Sequence, residues 1–201
     1  MGSVPHMTES TPDWLAAEMP PGYRNRVFEI QRISEELRAM ERFGGLLWQT
    51  GPELAEAVHD AFAALGFDCH VTPGADTSVV VKLDPFLRLL IDVSATSDVI
   101  RKRSTEISRV FQTLHETAED GDRVVLVTNS DREIRHADRP ESASPEAIDM
   151  LQRLGVNIMT GPTLFGLWML SLDDRDRAQL YAKRLHEQNG GLFALPRVGT
   201  G

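Results

Sequence analysis

Residues 88–98 read RLLIDVSATSD, and the way this run ends decides how the rest of the chain is assembled. Leu89, Leu90 and Ile91 form an unbroken apolar stretch, the pattern of a strand covered on both faces. The stretch meets a carboxylate at Asp92, then Val93, a hydroxyl at Ser94, the small Ala95 and a further hydroxyl at Thr96. A carboxylate at the exit of a buried strand is either kept for chemistry at the strand ends or spent locally. Locally, Asp92 would cap the next helix or hydrogen-bond to Ser94 or Thr96.

Working outward, SVVVKL (78–83) and DCHVTP (68–73) read as two more strands before it, with a turn at Asp84 and Pro85. Upstream, Leu54, Val58, Phe62 and Leu65 share one helical face that opens near Pro52, with Thr50 as a candidate cap, and closes on Gly66. Downstream, Ile107, Val110, Phe111 and Leu114 predict a helix within residues 100–119. RVVLVTN (123–129) is a continuous apolar strand. Ser144, Pro145 and Glu146 open a helix that ends at Gly155, and VNIMT (156–160) is a last short strand before two further helices. Three adjacent strands followed by αβαβα predict an α/β fold with a mixed central sheet flanked by helices.

Ahead of this lies a different pattern. Ile30, Ile33, Leu37 and Met40 recur with spacings of three, four and three, a heptad seam two to three heptads long, which reads either as a helix packed on its own domain or, slightly favoured, as a dimerising helix. The predicted organisation is a tag scar (MGSVPHM) and flexible arm over 1–22, a helical segment over 23–48, an α/β domain over 49–188 and a tail over 189–201.

The composition bounds the function. Thirty acids against 21 Lys and Arg give a net charge of −9, which opposes nonspecific binding to phosphate backbones unless a local basic patch overrules it. The single cysteine, Cys69, excludes a disulfide framework and a Cys-based zinc site, and a cytoplasmic location is the natural expectation. No apolar run approaches the roughly 18–20 residues needed to span a bilayer.

Over about residues 40–170 the chain resembles a bacterial family of restriction-endonuclease-like domains, the PD-(D/E)xK superfamily. In that family a coiled helix leads to LLyxtGxxLExaVxxaLxxLGFxV, and here the segment reads LLWQTGPELAEAVHDAFAALGFDCHV. GADTSVVVKLDPFLRLLIDVSAT stands where the family has a glycine and an acid, a strand, a turn and then LLVEVKGS. Asn129, Pro140, Ser144, Ala147, Thr160, Leu164 and Phe165 fall near the places that the later family pieces imply. The resemblance implies carboxylates that gather a divalent metal at the strand ends, with a lysine beside them to activate water.

The implied positions are mostly changed. Ala55 stands at the helical glutamate, with Glu56 one residue on and turned about 100° around the helix. Ser78 stands at the strand-leading aspartate, with Asp76 two residues earlier, and Ser94 stands at the lysine. Asp92 alone keeps its carboxylate. Lys82 lies about 13 Å along the strand from Ser78, too far to substitute. The leading expectation is therefore an inactive nuclease-fold domain that binds or scaffolds, as a homodimer or beside another protein in a DNA-related or defence assembly, with no cofactor. The alternative is an active Mg- or Mn-dependent nuclease in which Asp76 and Asp92 hold the metal, with Lys102 as a migrated lysine and Glu56 in support. A third expectation is a sensor of a small anion or nucleotide near Ser94, Thr96 and the next helix N-terminus. Asn129 is expected to pin the charged loop over 130–143, with Arg139 paired to an acid, and Trp168 and Met169 are expected in the core.

Overall fold

The computed structural model of the protein describes residues 18–72 and 77–196. Asp76, residues 1–17 of the expected arm and residues 197–201 of the tail lie outside the described residues. The chain divides into two compact units, Met1–Glu41 and Arg42–Gly201. The division falls inside the helix predicted over 23–48, because Phe43 stacks on Trp168 at 4.2 Å and Arg42 reaches Asp60 at 3.5 Å.

Helix α1 (Tyr23–Gly44) supplies most of the described first unit. The second unit begins with a 3₁₀ turn (Gly45–Leu47) and α2 (Gly51–Leu65), followed by β1 (Asp68–Val71), β2 (Ser78–Lys82) and β3 (Arg88–Val93). Next come α3 (Thr105–Glu116), β4 (Asp122–Thr128), α4 (Pro145–Arg153) and β5 (Asn157–Thr160). The chain then runs through α5 (Gly161–Asp173), α6 (Arg175–Glu187) and a two-residue strand, β6 (Gly191–Leu192). The element order is the one the periodicity predicts, with β6 added: a Gly-Leu pair in a loose tail carries no strand signal of its own.

The strands lie in the order β1-β2-β3-β4-β5-β6, antiparallel from β1 to β3 and parallel from β3 to β6. The sheet is thus mixed, and helices cover both faces. Val79, Val81, Leu89, Ile91, Val93, Val125 and Val127 pack with α2, α5 and α6. Leu90, Val124, Leu126 and Ile158 point the other way, onto α3 and α4. Two-sided burial is why β3 and β4 read as continuous apolar runs.

The helix ends follow local chemistry. Ser144 caps α4 by accepting from the Ala147 N–H, and Gly66 ends α2 at φ +97°, where a side chain would be strained. Thr50 precedes α2 in extended backbone but makes no side-chain cap, and its hydroxyl lies 3.5 Å from Arg132 instead. Trp168 is buried in α5 as expected, whereas Met169 is half exposed because one residue of helical rotation carries it off the packed face.

Asn129 and Arg139 also act differently from expectation. Asn129 Nδ2 donates to the Leu46 and Gln49 carbonyls at 2.9 Å each, so it pins the segment entering α2, while its Oδ1 accepts from Arg139 of its own loop at 3.5 Å. Arg139 pairs with no acid among the described residues; it donates to the Leu47, Ile134 and Arg132 carbonyls. Burial pushes the Arg139 guanidinium below its usual range, against the opposing pull of Asp131. Gly161 completes the clamp, since a Cβ there would strike the Leu46 carbonyl oxygen and the Asn129 amide. Asn129→Ala should therefore cost about 1–3 kcal/mol for each carbonyl left buried without a donor. Urea unfolding checks this, and an unchanged midpoint would contradict the clamp.

Candidate functional site

The candidate site forms where β3 ends beneath α3. Alternation along the strand puts Leu90, Asp92 and Ser94 on the α3 side of the sheet. The β2–β3 register sets Ser78 directly opposite Asp92. Ser78 and Asp92, the positions at which the resemblance in sequence implies strand carboxylates, are therefore neighbours in space, and Ser94, where it implies a lysine, lies two residues on along the same face.

What those positions do is specific. Asp92 is buried, with only 3% of its surface exposed. Its Oδ1 accepts from the Ser78 hydroxyl at 3.0 Å, and its Oδ2 accepts from the Thr113 hydroxyl at 2.7 Å. It therefore does not cap the helix or bond to Ser94 or Thr96. A carboxylate withdrawn from water needs such donors, and bonds of this charge-assisted kind contribute about 1.5–3 kcal/mol each. Ser94 is turned to a second acid. Its hydroxyl lies 3.2 Å from Glu106 Oε1 and 3.0 Å from the Thr96 carbonyl, and shares its one proton between them. Glu106 is also 3% exposed, sits in the first turn of α3, and accepts from the Thr105 hydroxyl at 3.3 Å. The carboxyl group of Glu106 therefore stands at the helix N-terminus, beside the Ser94 and Thr96 position expected to hold a small anion.

Arg109 supplies the cation. Its guanidinium donates to the Thr77 hydroxyl at 2.7 Å and to the Val93 carbonyl at 2.9 Å, so it ties α3 to the end of β3. Beside it a cavity of about 340 Å³ opens between β2, β3 and α3. Ser78, Asp92, Arg109, Gln112, Thr113 and Glu116 are among its lining residues, so hydroxyls and both charge signs face one space.

The remaining candidates are not brought here. Ala55 is fully buried among the side chains of α2 that pack on the opposite face of the sheet, and Glu56 is exposed. Lys102 lies on an exposed turn before α3 and makes no hydrogen bond or ion pair with a described residue. Lys82 pairs with Asp68 at 2.8 Å at the far end of β2, which holds the Asp68 carboxyl below its usual range. Asp76 lies outside the described residues, so the proposed Asp76–Asp92 metal pair has no described geometry. Among the described residues, no three His, Cys, Asp or Glu side chains are placed to hold a metal ion. Burial, then the Asp68 charge, pushes the Cys69 thiol up to about 12, which disfavours the thiolate form.

Glu106, Arg109 and Thr113 were not singled out from the sequence. Their spacing of three and four residues sets them on one face of α3, interleaved with the apolar stripe of Ile107 and Val110. That spacing was the available signal; attention to the apolar residues alone passes over it.

Thr113→Val keeps the shape of the side chain and removes the donor to Asp92 Oδ2. It should lower unfolding stability by about 1–3 kcal/mol; wild-type stability in urea would contradict the role given to this bond. In comparisons with known proteins, no family model, curated protein or solved structure matches the chain.

Proposed function

We propose that this chain is a restriction-endonuclease-like domain that has given up metal-dependent phosphodiester cleavage and acts as a binding or scaffolding component, in a DNA-related or defence assembly. The observation that carries the reading is the Ser78–Asp92–Thr113 lock, in which both oxygens of the one retained carboxylate are engaged by hydroxyls inside the fold. A divalent metal gathers oxygens from several groups at once, whereas Asp92 is met by hydroxyls from β2 and α3. Here the aligned aspartate position, Ser78, donates a proton to that carboxylate, and the aligned lysine position, Ser94, serves Glu106. The order of the sequence pieces supports the fold family, and the Ser78–Asp92 pairing agrees with it.

Two surfaces would carry the binding role: the apolar seam of α1 and the charged loop over 130–143. The net charge of −9 turns both toward protein partners rather than nonspecific DNA. The cavity beside Arg109 favours a second reading, a domain that holds a small polar molecule carrying both donors and acceptors. The active nuclease with Asp76, Asp92, Lys102 and Glu56 is the reading that this proposal displaces.

Plasmid nicking with Mg²⁺ or Mn²⁺, run beside calorimetric titration of Mn²⁺, separates these. The expected outcome is no cleavage above buffer and no saturable heat from either wild type or Asp92→Ala. Mn²⁺-dependent nicking that disappears in Asp92→Ala would sink the proposal. For the cavity reading, Arg109→Ala should abolish any melting shift that a nucleoside or amino acid produces in wild type.

A further inference from the structure

The α1 seam is exposed along its length, and the charges that flank it say which kind of helix covers it. Ile30, Ile33, Leu37 and Met40 are 64%, 43%, 54% and 57% exposed. With Ile30 and Leu37 at the a positions of a heptad and Ile33 and Met40 at the d positions, the flanking e and g positions are Glu29, Ser34, Glu36 and Glu41. No Lys or Arg stands among these four. Arg32 lies on the outer side of the helix and bonds Glu36 at 2.6 Å, an exposed pair that screens little of the flank.

A second copy fits the apolar seam and fails at its edges. In a parallel pair, each g position faces the e position five residues on in the partner, so Glu36 meets Glu41 twice. In an antiparallel pair, g faces g, so Glu29 meets Glu36 twice. Both orientations place like charges across a seam too short to hold on its own. Arg26 at the preceding d position adds a guanidinium pair to the parallel form.

Building on the scaffold reading, we propose that α1 docks a helix of a different protein, one with an apolar a/d seam flanked by Lys or Arg. The acidic flank then selects the partner and excludes the self-pair that the bare seam would allow. One carboxylate controls both self-pairings: Glu36 takes part in the parallel and the antiparallel clash. Glu36→Lys turns each clash into a Glu–Lys contact.

The test uses the full chain at neutral pH and low salt, with two synthetic helices of about three heptads that share an Ile/Leu seam, one Lys-flanked and one Glu-flanked. Wild type should sediment as a monomer and bind the Lys-flanked helix at least about tenfold more tightly than the Glu-flanked one, with the preference shrinking in salt. Leu37→Asp should abolish this binding. Glu36→Lys should shift the chain toward a dimer and reduce the preference. A wild-type dimer broken by Leu37→Asp would identify a second copy as the occupant and overturn the proposal. Equal binding of the two helices would overturn it as well, as would binding that appears only when residues 1–17 are removed. Nicking assayed on the same samples tests the scaffold reading separately, since cleavage does not depend on which helix α1 takes.

Discussion

Asp92 is the group around which the α3 side of this fold is arranged. A carboxylate three-hundredths exposed and flanked by Ile91 and Val93 is tolerable only if its oxygens find donors inside the protein. Those donors come from two directions: Ser78 across the antiparallel ladder, and Thr113 from the helix above. Meeting that demand fixes the β2–β3 register and the rotation of α3 together. A slip of one residue in β2 would carry Ser78 to the far face of the sheet. Rotating α3 would take Thr113 away from Asp92, Arg109 from the Val93 carbonyl and Glu106 from Ser94. The two apolar clusters supply the bulk of the driving force, and this polar set selects one arrangement of them.

Much of the architecture was legible because it rests on periodicity and punctuation. The runs at 88–93 and 122–128 are apolar on both faces, and Ser144–Pro145 and Gly66 state where helices begin and end. The site was only half legible. The sequence brought Ser78, Asp92 and Ser94 into one neighbourhood, but it could not say that hydroxyls would close on the carboxylate. That depends on the rotation of α3, and so on a helix face that mixes Glu106, Arg109 and Thr113 with core residues. Asn129 and Arg139 were misassigned for a related reason. Their acceptors are backbone carbonyls, three of them in residues 46–49 and eighty or more positions away, and carbonyls leave no trace in residue type.

The same chain treats charge differently in its two units. In Arg42–Gly201 the buried acids Asp92 and Glu106 accept from hydroxyls of the fold, and the exposed Asp68 pairs with Lys82. On α1 the acids at 29, 36 and 41 stand along an exposed apolar seam, and the one cation paired to them, Arg32 on Glu36, comes from the outer side of the helix. Charge that is satisfied internally specifies a fold, whereas charge left along an apolar edge specifies a partner.

The stability of Asp92→Ala, measured by urea unfolding with and without Mn²⁺, tests the central claim most directly. If Asp92 is a structural hub, its removal leaves two half-buried hydroxyls without their acceptor, stability falls by about 2–5 kcal/mol, and Mn²⁺ changes neither protein. A variant as stable as wild type or more so, with Mn²⁺ stabilising only wild type, would show a carboxylate held at the cost of stability for a metal, and would contradict the account.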